Sequence, residues 1–271
     1  MENFNEERAC LCALNRIFGF EPKIGMGLIE AFGGAAAVFK ANKNEINDFL
    51  RSQARARFAP LVCGSAFESA AMELEGLSRE GCHFIGIGEP GYPKALLECD
   101  DPPLGLYYKG VLTPEEVFDK RPQVAVIGTR NLSYYGRDWC RNIVEALSKA
   151  QIKPMIVSGL ALGVDVTAHK AALDFGLPTT GVMATGIDDI YPPQNVKVGK
   201  QMADIRIPYQ SSSSSQSQPR ERPVLLLLVV VLLKASLLML YPSPLAQSGY
   251  SRWLILTATI CGFTYSFFIF L

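Results

Sequence analysis

Residues Val157–His169 read VSGLALGVDVTAH. The apolar run "KPMIV" leads into two glycines four residues apart, and an Asp and a His follow. The continuation "VDVTAHKAALDFG" has apolar residues at helical spacing and closes on Gly176. A buried apolar run, a glycine turn and an amphipathic segment ending in glycine spell strand, turn, helix.

The same grammar repeats on both sides. "QVAVIGTR" is an apolar run ending at Gly128, and "SYYGRDWCRNIVEALSKA" follows as a helix with Ser133 as its N-cap. Downstream, "PTTGVMATG" gives a third strand before "IDDIYPPQN". Strand, helix, strand, helix, strand predicts a parallel sheet with right-handed crossovers. Continuous rather than alternating apolar runs predict strands covered on both faces. The fold class is α/β, a Rossmann-like parallel sheet.

Ligands of such sheets sit at the carboxyl ends of the strands. Three loops meet there: Gly128-Thr129-Arg130, Ser158–Gly163 and Gly186–Asn195. Glycine lets a backbone approach a ligand, and a helix start offers free N–H groups and a positive dipole end. An anion, above all a phosphate, suits that place. Arg130 adds a fork of donors and Ser158 a hydroxyl. Asp165 is either a helix cap or an acid. His169, four residues on, is either a structural hydrogen-bonding residue or a base. Gly159 and Gly163 serve the turn whether or not they cradle a ligand. Tyr191-Pro192-Pro193 forms a rigid loop wall on which a base can stack.

Upstream, residues 1–80 read as a small helical domain. "ERACLCALNRIFGF" and "SAFESAAMELEGLSREG" have helical spacing, "IGMGLIEAFGG" stops at Gly33-Gly34, and Asn42 is an N-cap with Glu45 three residues on. Short helices broken by glycine suggest a helix-hairpin-helix type of module, which either binds DNA backbone or serves as a packing unit. From His83, "HFIGIGEPGYPKALLECDDPPLGLYYKG" gives two short apolar runs separated by turns that lead into the sheet.

The totals are balanced, with 26 basic and 26 acidic residues among 271. A strongly basic nucleic-acid binder is not visible in them, although a local basic patch is compatible with them. The 7 cysteines are scattered, apart from Cys10 and Cys12, and suit reduced, mostly buried thiols. Two histidines, His83 and His169, exclude a multi-histidine metal site. No metal, cofactor or catalytic residue is expected. The polar, acidic start "MENFNEERAC" is not a signal peptide.

"VAVIGTRNLSYYG", "IVSGLALGVDVTAH" and "TGIDDIYPPQN" resemble, in order and spacing, the DNA-processing protein A family (DprA, or Smf). The resemblance covers about residues 5–204. It implies a cytoplasmic bacterial protein of natural transformation that binds incoming single-stranded DNA, loads the RecA recombinase onto it, dimerises through its Rossmann-like domain and is not an enzyme. The DNA- or phosphate-binding positions it implies are Gly128, Thr129 and Arg130, then Ser158, Gly159, Gly163, Asp165 and His169, then Gly186, Asp188, Tyr191 and Asn195. Leu162 departs from the family, which usually carries Arg or Lys there. Thr129 replaces a Ser.

Residues 81–204 thus read as an incomplete Rossmann-like domain. "SSSSSQSQPRERP", within 205–223, is a Ser/Gln/Pro linker. Residues 224–271 form a hydrophobic tail, with one charge, Lys234, in the 18 residues Val224–Tyr241 and none from Trp253 on. By hydropathy both stretches are membrane-span candidates. The tail lacks the family's continuing sheet segments, so it reads as a frameshift product or a membrane tether, lying outside the Rossmann core. A Rossmann-like nucleotide hydrolase and a membrane-anchored nucleotide-binding protein are the rival functions.

Overall fold

A computed structural model of the chain describes residues 2–203, 224–228, 253–260 and 263–270, with side chains from residue 5 to residue 203. The described residues divide into two compact units, one running to Lys109 and the other from Gly110 on, with Leu228 grouped with the first.

The first unit opens with helices α1 (Glu2–Phe18), α2 (Pro22–Phe32), α3 (Ala35–Lys40), α4 (Lys43–Ser52) and α5 (Gly64–Arg79). Helix α2 ends where its sequence says, with Gly33 in the left-handed conformation (φ 84°). The predicted cap of α4 is formed, since the Asn42 side chain accepts from the Asn44 N–H. Helix α1 is the hub: Leu11, Cys12, Ala13, Leu14 and Phe18 are buried, and α2, α3 and α5 pack on it.

Strand β1 (Cys82–Gly86), the short helix α6 (Lys94–Leu97) and strand β2 (Gly105–Gly110) complete this unit, the strands pairing antiparallel from Cys82↔Lys109 to Gly86↔Gly105. The sequence reading put a boundary at residue 80; the structure moves it to 109. The reason is packing. A side chain at Gly86 would lie 2.5 Å from Leu11 Cδ1, so α1 rests directly on β1. Cys12 Sγ and the Tyr107 hydroxyl, 3.3 Å apart, join α1 to β2.

The second unit runs α7 (Pro114–Phe118), β3 (Gln123–Gly128), α8 (Tyr134–Ser148), β4 (Met155–Ser158), α9 (Val164–Phe175), β5 (Thr179–Met183) and α10 (Val196–Ala203), then strands β6 (Val224–Leu228), β7 (Trp253–Ile260) and β8 (Phe263–Phe270). Strands β3, β4 and β5 are parallel and adjacent, as predicted. Consecutive right-handed crossovers in one direction lay both helices on one face. Accordingly α8 packs along α9, and a core of Val124, Val126, Cys140, Val144, Ile156, Val164, Ala168 and Leu177 fills the space beneath them. The other face is less covered than the sequence suggested: Ala125 is half-buried and Ile127 is exposed.

The tail also departs from expectation. Its described stretches are strand, not helix, and they join the sheet. Strand β8 pairs parallel with β3 from Val124↔Ser266 to Gly128↔Phe270 and antiparallel with β7, in the order β6-β5-β4-β3-β8-β7. A bare β3 edge would leave a row of unpaired N–H and C=O groups, and a charge-free run rich in aromatic and β-branched residues suits a strand laid against it. Among the described residues no helix is long and apolar enough to cross a membrane. The predicted linker 205–223 and most of the span candidate Val224–Tyr241 lie outside the described residues.

Candidate nucleic-acid interface

The three loops predicted to converge are tied to one another, the first two through their backbones and the third through the Asn195 side chain. The Val164 N–H donates to Thr129 O at 3.1 Å. Gly163 sits at that crossing with φ +82°, and a Cβ there would stand 2.1 Å from Thr129 O. The third loop is fixed to the second by Asn195, whose Nδ2 donates to Leu160 O at 2.7 Å. In the first loop Thr129 Oγ1 accepts from the Asn131 N–H at 3.1 Å, closing a local turn.

The β4–α9 stretch supplies its own anion. Asp165 is buried in the first turn of α9, and a Cβ on Gly159 would lie 2.6 Å from its Oδ2. Burial pushes this carboxyl above its usual range, against the opposing pull of the Ala161 backbone, the Ser158 hydroxyl, the Gly159 backbone and the charge of Arg130. The Ser158 hydroxyl has one proton and gives it to Val126 O at 2.6 Å. Asp165 thus fills the space beside Gly159 at the start of α9.

His169 is fully buried, and its Nδ1 lies 2.7 Å from Thr179 Oγ1. That hydroxyl donates to Ile156 O at 3.0 Å, so it accepts from His169, which fixes the proton on Nδ1. Among the described residues Nε2 meets no hydrogen-bond partner, although backbone groups of Ser158 and Gly159 stand near the ring and favour its charged form. Burial wins and lowers the imidazole pKa to about 4. Its tie to Thr179 was not legible beforehand, because nothing in "PTTGVM" distinguishes one threonine from the other.

The predicted residues thus fall into two sets. Ser158, Asp165, His169 and Asn195 are buried, and Ser158, His169 Nδ1 and Asn195 are hydrogen-bonded inside the protein. Arg130, Gly186, Asp188 and Tyr191 are exposed, Gly128 and Thr129 half-buried. Asp188 Oδ1 folds back over Gly186, where a Cβ would meet it at 2.6 Å. Leu162 is 40% exposed at the tip of the middle loop. Arg130 forms no ion pair among the described residues and is the cation of the cluster.

Missing from the sequence reading are the aromatics of α8. Its buried stripe is Gly136, Cys140 and Val144, yet Tyr134, Tyr135 and Trp139 face solvent. The signal was present, since these rings fall out of phase with that stripe.

The same hydrogen-bonding logic appears in the first unit. At the Gly33-Gly34 turn the N–H groups of Ala35 and Ala36 donate to Glu7 Oε1 and Oε2 at 2.6 and 2.8 Å. The amides that a helix-hairpin-helix module would offer a DNA phosphate are taken by a carboxylate of α1, which favours the packing role.

Comparison with known proteins meets this geometry. A protein Smf from Synechocystis is 40% identical over 130 residues, covering 48% of this chain and 32% of that one. The DNA processing protein DprA of Streptococcus pneumoniae is 40% identical over 124 residues, 45% of this chain and 42% of that one. The chain thus spans well under half the length of these relatives. The crystal structure of the S. pneumoniae DprA superimposes with a TM-score of 0.50 at 24% identity, covering 83% of this chain and 65% of that one, and shares its fold. The model of the family described as DNA recombination-mediator protein A matches residues 83–220, just over half of the sequence and the stretch that holds all three loops. With loop order, sheet and family model in agreement, this chain belongs to the DNA recombination-mediator protein A family.

Proposed function

We propose that the chain binds single-stranded DNA at the carboxyl ends of β3, β4 and β5, with Arg130 as the principal phosphate contact. On the family resemblance the proposal extends to a cytoplasmic homodimer that holds incoming DNA during natural transformation and passes it to RecA. One observation carries it: three loops are locked together, two by backbone and the third by the Asn195 side chain, and an exposed arginine without an ion pair among the described residues stands at the joint. A rigid frame around a single guanidinium suits a phosphate contact that positions a strand without reading its sequence.

A binding role fits better than hydrolysis. In the β4–α9 stretch the acid is buried against Gly159, and the imidazole is fully enclosed with Nδ1 on Thr179. Neither reaches a substrate at the loop surface.

Anisotropy titration of the full chain with labelled single-stranded and duplex oligonucleotides tests the reading. A charge-assisted hydrogen bond is worth roughly 1.5–3 kcal/mol, so Arg130→Ala should weaken single-strand binding about ten- to a hundredfold. The loss should be equal for all base sequences and the salt dependence shallower. Unchanged affinity in a folded Arg130→Ala protein overturns the assignment. Turnover of a free nucleotide by the wild type would favour the hydrolase.

A further inference from the structure

We propose that the solvent face at the start of α8 is a stacking platform for unpaired bases, working beside the phosphate contact at Arg130. The inference rests on the single-stranded DNA reading and adds a second, chemically different contact to it.

The platform consists of three rings on the outer side of the helix. Tyr134 is 86% exposed, Tyr135 48% and Trp139 42%. Tyr135 and Trp139, one turn apart, stand edge to face with centroids 6.0 Å apart and planes at 66°. The Arg137 guanidinium lies 5.8 Å from the centroid of the Tyr134 ring. Each ring is thus steadied by a neighbour while much of its surface stays open to solvent. Two χ angles per ring keep the ordering cost of such a surface low.

A globular helix ordinarily turns polar residues outward. Here the outward rings are interleaved with Asn131, Ser133, Arg137, Asp138 and Asn142, all exposed. That pattern is not the continuous apolar patch a protein partner requires. Separate π faces set among cations are the combination that holds single-stranded nucleic acid: stacking is sequence-tolerant, and the charge tracks the backbone. Between Gly128 and Cys140 two arginines, Arg130 and Arg137, stand against one acid, Asp138. Neither arginine is ion-paired among the described residues. Arg130 precedes Tyr134 by four residues, so one strand can place a phosphate on the first and bases on the rings beyond.

The test uses the full chain with a labelled oligothymidylate and an abasic strand of equal length and charge. Wild type should bind the oligothymidylate about tenfold more tightly, and the Tyr134→Ala/Trp139→Ala double variant should lose about that factor with an unchanged salt slope. Tyr134→Phe and Trp139→Phe should retain binding. Oligothymidylate should quench tryptophan fluorescence, and Trp139→Phe should remove that quench although Trp253 remains. Equal binding of both strands by wild type overturns the platform. So does wild-type affinity in the double alanine variant while Arg130→Ala is impaired, and the DNA reading then stands. Failure of wild type to bind either strand overturns both. A changed oligomeric state in the double variant, seen by light scattering, would assign the rings to a second copy of the chain and overturn the platform.

Discussion

Two neighbouring strand-to-helix turns in the same sheet look alike on paper and behave differently. The turn from β4 to α9 has the glycines, the serine and the acid, and it is closed: Asp165 lies against Gly159, Gly163 is pressed on Thr129 O, and Asn195 holds Leu160 O. The turn from β3 to α8 has one glycine, and it is open. Its Arg130 and Tyr134 side chains reach solvent, and Ser133 Oγ merely accepts from the Gly136 N–H at 3.1 Å. A glycine-rich turn at a helix start is an anion site only if the chain has not supplied the anion itself. In the first unit Glu7 fills the Gly33-Gly34 turn in the same way. The closed turn is the frame, and the open turn is the surface proposed to meet DNA.

The sharpest way to break this contrast is to put a methyl group into the frame. Gly163→Ala would set a Cβ 2.1 Å from Thr129 O and 2.7 Å from Arg130 O, at a φ of +82° that side chains rarely adopt. A loss on the order of 4 kcal/mol is expected in denaturant unfolding. Gly176 is the control. Its φ is +69° but nothing lies near the added Cβ, so Gly176→Ala should cost only the left-handed penalty, about 1–2 kcal/mol. Equal losses at the two sites would mean that the loops do not lock at Gly163.

Protonation probes the frame next. The folded chain holds His169 neutral down to about pH 4, whereas the ordinary imidazole takes a proton near 6.5. Between those values the unfolded chain binds the extra proton, so stability is full above 6.5 and falls as pH drops toward 4. The loss amounts to roughly 3 kcal/mol. Asp165 works in the opposite sense, because its raised folded pKa favours the folded state as pH falls toward 3.8. Unfolding midpoints across this range should slope for the wild type and flatten for His169→Gln. His83, the other histidine, is exposed. A flat wild-type profile would show that water reaches the His169 ring.

The order of strands and helices was legible because apolar runs, glycine stops and the Ser133 and Asn42 caps are local signals. The convergence of three loops was legible from topology. What each side chain does there was not. Asp165 as a self-supplied anion and Asn195 as a clamp on Leu160 depend on contacts across 6 and 35 residues, which no periodicity encodes. The boundary at 109 escaped for the same reason, since it is set by Leu11 of α1 meeting Gly86 of β1. In the tail, hydropathy registered how apolar the chain is but not which secondary structure it takes. The paired stretches β7 and β8 are each 8 residues, too short for a membrane helix and suited to strands.

The smallest expected effect sits where the frame and the proposed DNA surface meet. Leu162 is 40% exposed, directly before Gly163, whose backbone is clamped to the Arg130 loop. A cation at this position would extend toward solvent from a fixed backbone, adding a second positive group beside Arg130 without disturbing Asp165, whose carboxylate faces inward to Gly159. One further phosphate contact should raise single-strand affinity by about 1 kcal/mol at low salt, near fivefold, and steepen the salt dependence by about one ion. Leu162→Arg, compared with wild type in anisotropy titrations at two salt concentrations, measures both quantities at once. Leu162→Gln adds polarity without charge and should leave the slope unchanged. If Leu162→Arg gains nothing at low salt while Arg130→Ala still weakens binding, the strand leaves Arg130 toward α8 and its rings, and the tip of the middle loop stays off its path.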